Sequence, residues 1–160
     1  MLSSKKQELD KVRDKCRHLV TRRSLISAGA AVVPIPGLDI GTDVAILLKL
    51  IPTINRKFGL TPEQIDQLSP DIKKIIFVGG TSMSLGLVGK TLTTQRIIGV
   101  LKRLGAKRLS TMSVTKYVPF IGSAISASLS FYVLRKVGNA HIDECYRIAQ
   151  KVALHQEKTS

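Results

Sequence analysis

The stretch Ser84-Leu85-Gly86-Leu87-Val88-Gly89-Lys90-Thr91 comes nearest to a chemical motif. A phosphate-binding loop, G-x-x-x-x-G-K-[ST], wraps phosphate in backbone N–H groups while its Lys and hydroxyl serve phosphate and Mg²⁺. Here Ser84 stands at the first Gly position, and no acid-bearing second strand follows. Nucleotide hydrolysis is therefore the weakest of the functions considered, and Gly86 and Gly89 are expected at a helix crossing with Lys90 at the surface. Asp39 and Asp43 lie four apart and could act as metal ligands or a proton relay. An N-cap role for Asp39 and a first-turn, dipole-favoured place for Asp43 account for both more simply.

His141 and Cys145 are also four apart, and Cys16 and His18 lie on the opposite terminal segment. Together these four could make a zinc site. Residues two apart on a helix point to different faces, however, so Cys16 and His18 are not expected to converge. Nothing resembles a Ser-His-Asp or Cys-His-Asp set, and acids are too few for a paired-carboxylate mechanism. The expectation is a non-enzymatic chain with no catalytic residue, cofactor or metal. With only two cysteines, no disulfide framework is implied, which suits a reducing compartment.

Charge is the stronger signal. The 160 residues carry 25 Lys and Arg against 11 Asp and Glu, a formal net charge of +14. No acid occurs between Asp71 and Asp143. That interval holds Lys73, Lys74, Lys102, Arg103, Lys107, Arg108, Lys116, Arg135 and Lys136, the candidate anion-facing or membrane-facing set, besides Lys90 and Arg96. Such a field attracts polyanions: an anionic phospholipid surface, an acidic protein partner, or nucleic acid nonspecifically. A sequence-specific nucleic-acid reader is excluded by the sparse aromatics and the lack of any recognition motif.

The elements that must position these groups are helical. Aromatic residues are 4% of the chain and Trp is absent, so the core is Ile, Leu, Val, Ala and Gly. Leu9, Val12, Cys16, Leu19 and Val20 recur at helical spacing, giving a basic amphipathic helix over 1–23. The chain is expected to be one all-α domain, with its core over 24–156 and a frayed tail at 157–160. From Ser24 the polar face disappears, so the helix should turn into the interior. It should then stop at a corner formed by Pro34, Pro36 and Gly37 and capped by Asp39. The same V-P-x-x-G spelling recurs at Pro119 and Gly122, which suggests a bundle built from two pseudo-repeated hairpins.

Thr61-Pro62-Glu63-Gln64 spells a capping box, and Gly59 a helix stop. Residues 71–104 read as two helical segments ended by Gly105, followed by a basic connector helix over 106–116. Gly138-Asn139 should pause a last helix that continues to His155. Charges and breakers interrupt every apolar run of about twenty residues, although 117–134 falls only slightly short of a span.

Several of these motifs resemble a known family. They are the P-I-P-G-x-D corner with its following apolar helix over 33–59, Val78-Gly79-Gly80, and the closing V-P-F-I-G…F-Y-V-L-R-K-V-G. Together they resemble a bacterial family of helical domains of unassigned function that accompany GTPase domains or occur in inner-membrane proteins. The likeness covers residues 28–146 and implies an all-α domain acting beside a GTPase, here in trans, at the inner membrane. It brings no catalytic residues. The functional expectation is a helical module, cytoplasmic and peripheral to or partly inserted in the inner membrane, that associates with anionic lipid or a partner protein.

Overall fold

The computed structural model describes residues 2–31, 38–81, 87–89, 92–109 and 119–159. The described residues form six helices: α1 (Leu2–Ala31), α2 (Leu38–Phe58), α3 (Pro62–Asp66), α4 (Pro70–Thr81), α5 (Thr94–Leu109) and α6 (Pro119–Thr159). No strand occurs among the described residues, so the fold is all-α.

Local spelling sets several of the ends. Thr61 accepts from the Gln64 backbone N–H while the Gln64 side chain accepts from the Thr61 N–H, the reciprocal capping box expected of these residues. Gly59 takes φ +73, the left-handed conformation that lets the chain leave α2. Pro52 lies inside α2 without ending it.

Contacts divide the chain into two compact units, each discontinuous in sequence. The first comprises Met1–His18, Ile51–Thr91 and Asn139–Ser160. Its core includes Ile51, Ile54, Ile65, Ile76, Leu87, Ile142 and Ile148. Each such side chain, removed from water, contributes about 1.5–3 kcal/mol. Here α1 and α6 pair antiparallel. The Tyr146 hydroxyl donates to Asp10 at 2.6 Å beneath the Arg13 guanidinium, and Arg17 meets Asp143 at 3.1 Å.

The second unit comprises Leu19–Leu50 and Leu92–Gly138. Val20, Val44, Leu47, Leu50, Ile97, Val100, Leu134 and Val137 are buried in it. At its edge Gly138 receives Val20 so closely that an added Cβ would stand 2.7 and 2.8 Å from the valine methyls.

Several expectations are corrected. The residues after Ser24 do not turn wholly inward: Leu25 and Ile26 are 58% and 52% exposed, while Ser24 and Ser27 are buried. The buried hydroxyls are satisfied locally, Ser24 donating to the Val20 carbonyl and Ser27 to Asp43. A small, hydrogen-bonded face thus takes the interior, and the bulky side chains stay outside. Asp39 is the second residue of α2 and so lies within its first turn, not at its cap. Asp43 is not a first-turn acid but a buried partner of Ser27.

Gly105 does not end α5, which runs on to Leu109. Ala106, Lys107, Arg108 and Leu109 are good helix formers, and one glycine costs only about 1 kcal/mol. Likewise α6 passes through Gly138 without a pause and reaches Thr159, so 157–159 are helical instead of frayed. Gly122 falls inside the first turn of α6, which begins at Pro119, and is not a corner preceding it. Pro34, Pro36 and Gly37 lie outside the described residues.

Candidate functional site

Of the motifs that suggested chemistry, the phosphate-loop spelling is the least supported by its surroundings. Ser84, Gly86, Lys90 and Thr91 lie outside the described residues. Between them, Leu87 and Val88 are buried and Gly89 sits in a turn at φ +64, 2.8 Å from Ile65 Cδ1 at its would-be Cβ. Gly89 is therefore a turn residue, not a helix crossing. The Asn55 side-chain amide donates to the Leu87 carbonyl at 3.3 Å, tying this segment to α2.

Asn55 leads into a buried polar cluster of the first unit. Since its amide N–H faces Leu87, its Oδ1 accepts from His141 Nε2 at 2.7 Å, with Cys145 Sγ at 3.6 Å. Cys145 Sγ lies 3.5 Å from His141 Nε2, and His141 Nδ1 is 3.9 Å from Glu144 Oε2. Cys16, Asn55, His141, Glu144 and Cys145 are all buried, whereas His18 is exposed. The different-face argument for Cys16 and His18 thus describes α1.

Burial lowers the His141 pKa to about 4, so the ring is neutral near pH 7. Burial also raises the Cys16 thiol against the pull of Lys57, and raises Cys145 well above the ordinary range, helped by Glu144 and Cys16. Thiols held protonated are poor nucleophiles and poor metal ligands. No group of three or more His, Cys, Asp or Glu among the described residues could hold a metal ion. The cluster is a hydrogen-bonded anchor between α2, α6 and the Leu87 segment. Asn55, its centre, carries no motif that sequence reasoning could have caught.

The first unit also has a groove of about 420 Å³, walled by Leu9, Phe58, Leu68, Ile76 and Val152. Lys5 and Glu8 at its rim oppose each other in sign.

The basic field is split. Lys73 and Lys74 belong to the first unit, where Lys73 donates to the Asp66 carbonyl at 2.8 Å and Lys74 is exposed. Arg103, Arg135 and Lys136 belong to the second unit and are exposed, as are Arg22, Arg23 and Arg96. Lys102, Lys107 and Arg108 lie on α5, with side chains outside the described set, and Lys116 is outside the described residues altogether.

Counted over its sequence, the second unit carries eleven Lys and Arg against two Asp, a net +9 of the chain's +14. One of those acids, Asp43, is buried against Ser27. The concentration owes much to Arg22 and Arg23, which precede the acid-free interval. Sequence reading placed them on an N-terminal helix apart from it.

Beside these cations stand exposed apolar groups: Leu25 and Ile26 on α1, and Tyr132 on α6. The Arg135 guanidinium lies 5.5 Å from the Phe131 ring centre, and Lys136 Nζ 5.7 Å from that of Tyr132. Among the described residues no helix is long and apolar enough to cross a membrane. Comparison with family models, curated proteins and solved structures finds no match.

Proposed function

We propose that this chain is a non-enzymatic helical module whose second unit binds an anionic membrane surface peripherally. The observation that carries this reading is the net +9 of the second unit, whose Arg22, Arg23, Arg96, Arg103, Arg135 and Lys136 are exposed. Each cation near an anionic bilayer contributes about 1 kcal/mol, and the attraction is screened within a Debye length of about 10 Å at 0.1 M salt. Several together suffice for reversible attachment.

Vesicle flotation tests the reading. Binding is expected with vesicles rich in phosphatidylglycerol, absent with phosphatidylcholine alone, and reversed by high salt. Equal binding to both would remove the electrostatic basis. Displacement by duplex DNA at equal phosphate concentration would favour the alternative, a nonspecific nucleic-acid binder. The family resemblance adds a GTPase acting in trans as the partner to seek by pull-down.

A further inference from the structure

We infer that a single arc of α1, formed by Arg22, Arg23, Leu25 and Ile26, is the surface by which the second unit enters an anionic bilayer. The inference rests on the membrane reading above and names the residues that make the lipid contact.

Helix geometry places all four on one side. At about 3.6 residues per turn, successive side chains are turned by about 100°. With Arg22 as the origin, Leu25 stands at about −60°, Ile26 at about 40° and Arg23 at about 100°. Val20, Ser24 and Ser27 fall between about 140° and about 200°, on the opposite side. Exposure follows the same division: the first four are exposed and the last three are buried.

This part of α1 is inverted in composition. Two serines take the interior, Ser24 donating to the Val20 carbonyl and Ser27 to Asp43, while Leu25 and Ile26 remain 58% and 52% exposed. Aliphatic side chains are ordinarily the ones buried, and serines the ones left outside. In water the arrangement forgoes the burial of two large side chains, and an apolar medium outside α1 restores it.

Charge identifies that medium. Nearer its start, α1 pairs Arg13 with Asp10 and Arg17 with Asp143. Among the described residues Arg22 and Arg23 form no ion pair, and no acid lies between Asp14 and Asp39 in the sequence. Two guanidinium groups thus stand one turn before two aliphatic side chains. A helix that lays such an arc on a bilayer sinks its apolar groups below the phosphates, and the long arginine stems reach back to them. A second copy of this chain meeting the same arc would set arginine against arginine, so charge favours anionic lipid as the occupant.

The chain has no Trp, so one introduced at position 26 reports the depth of this arc. Ile26→Trp is compared with Phe77→Trp, since Phe77 is 54% exposed on α4 of the first unit. With phosphatidylglycerol-rich vesicles, the Ile26→Trp protein is expected to shift its emission to the blue and to be quenched by brominated acyl chains. The Phe77→Trp protein should keep water-like emission. Leu25→Ser with Ile26→Ser leaves the net charge at +14 and should lower partitioning by about tenfold or more. Arg22→Gln with Arg23→Gln should lower it roughly thirtyfold. Far-UV circular dichroism of each variant confirms that the helices are retained.

Protein that floats with vesicles while the Ile26→Trp emission stays water-like would overturn this surface yet leave the membrane reading standing. Undiminished partitioning of either double variant would do the same. A blue shift that grows with protein concentration in the absence of lipid would also overturn it, assigning the arc to self-association. No flotation with any vesicle overturns both.

Discussion

Acidifying the solution isolates the energetics of the buried cluster. His141 is fully buried, and desolvation holds its pKa at about 4 against 6.5 for an ordinary histidine. Between these values the unfolded chain binds a proton that the folded chain does not, so stability rises with pH across that window. The contribution is fully present above about pH 6.5 and is lost as the pH falls toward about 4. At full development the difference corresponds to ~3 kcal/mol, of which about 2 kcal/mol is lost by about pH 5.

Asn55, Glu144 and Cys145 face the ring, with Glu144 Oε2 3.9 Å from Nδ1. Its attraction for an imidazolium opposes the shift, but burial dominates. Urea unfolding followed by far-UV circular dichroism, at several pH values from about 7 to about 5, measures the slope. His141→Gln supplies the baseline, because an amide can still donate to Asn55 and does not titrate in this range. The two proteins should diverge in pH dependence by about 2 kcal/mol. Parallel curves would show that His141 is not held neutral in the folded chain.

Three further substitutions probe the same architecture. Asn55→Leu removes the acceptor of His141 and the donor to the Leu87 carbonyl, so denaturant unfolding should show a loss of about 2–4 kcal/mol. Gly138→Ala should cost about 1–3 kcal/mol through its collision with the Val20 methyls. Adding Val20→Ala should recover part of that loss, and a double-mutant cycle reads the coupling directly. Gly89→Ala meets both a positive φ and Ile65 Cδ1 at 2.8 Å, so its melting temperature should fall, with the loss relieved in part by Ile65→Val.

Much of the secondary structure was legible because it is written locally. Helical spacing from Leu9 to Val20, the Thr61 capping box and the stop at Gly59 are each decided by a few adjacent residues. The errors came where a partner distant in sequence decided the outcome. Asp43 looked like a dipole-favoured acid until Ser27 of α1 appeared as its donor. Leu25 and Ile26 looked interior by composition, but the two serines on the other arc of α1 had the better claim to burial. Gly138 looked like a pause, whereas the lack of a side chain there admits Val20. The basic field was visible as an acid-free interval. Its division between two units, and the addition of Arg22 and Arg23, required the tertiary contacts.

Each unit is assembled from segments far apart in the sequence, and this bears on how the chain folds during synthesis. Met1–His18 packs with Asn139–Ser160 in the first unit, and Leu19–Leu50 with Leu92–Gly138 in the second. During synthesis, then, the apolar stripe of α1 lacks part of its native cover until Asn139–Ser160 is made. Contacts of such long sequence separation slow folding and lengthen the exposure of sticky surface. Nascent chains stopped before α6 should therefore engage chaperones more than chains that include it.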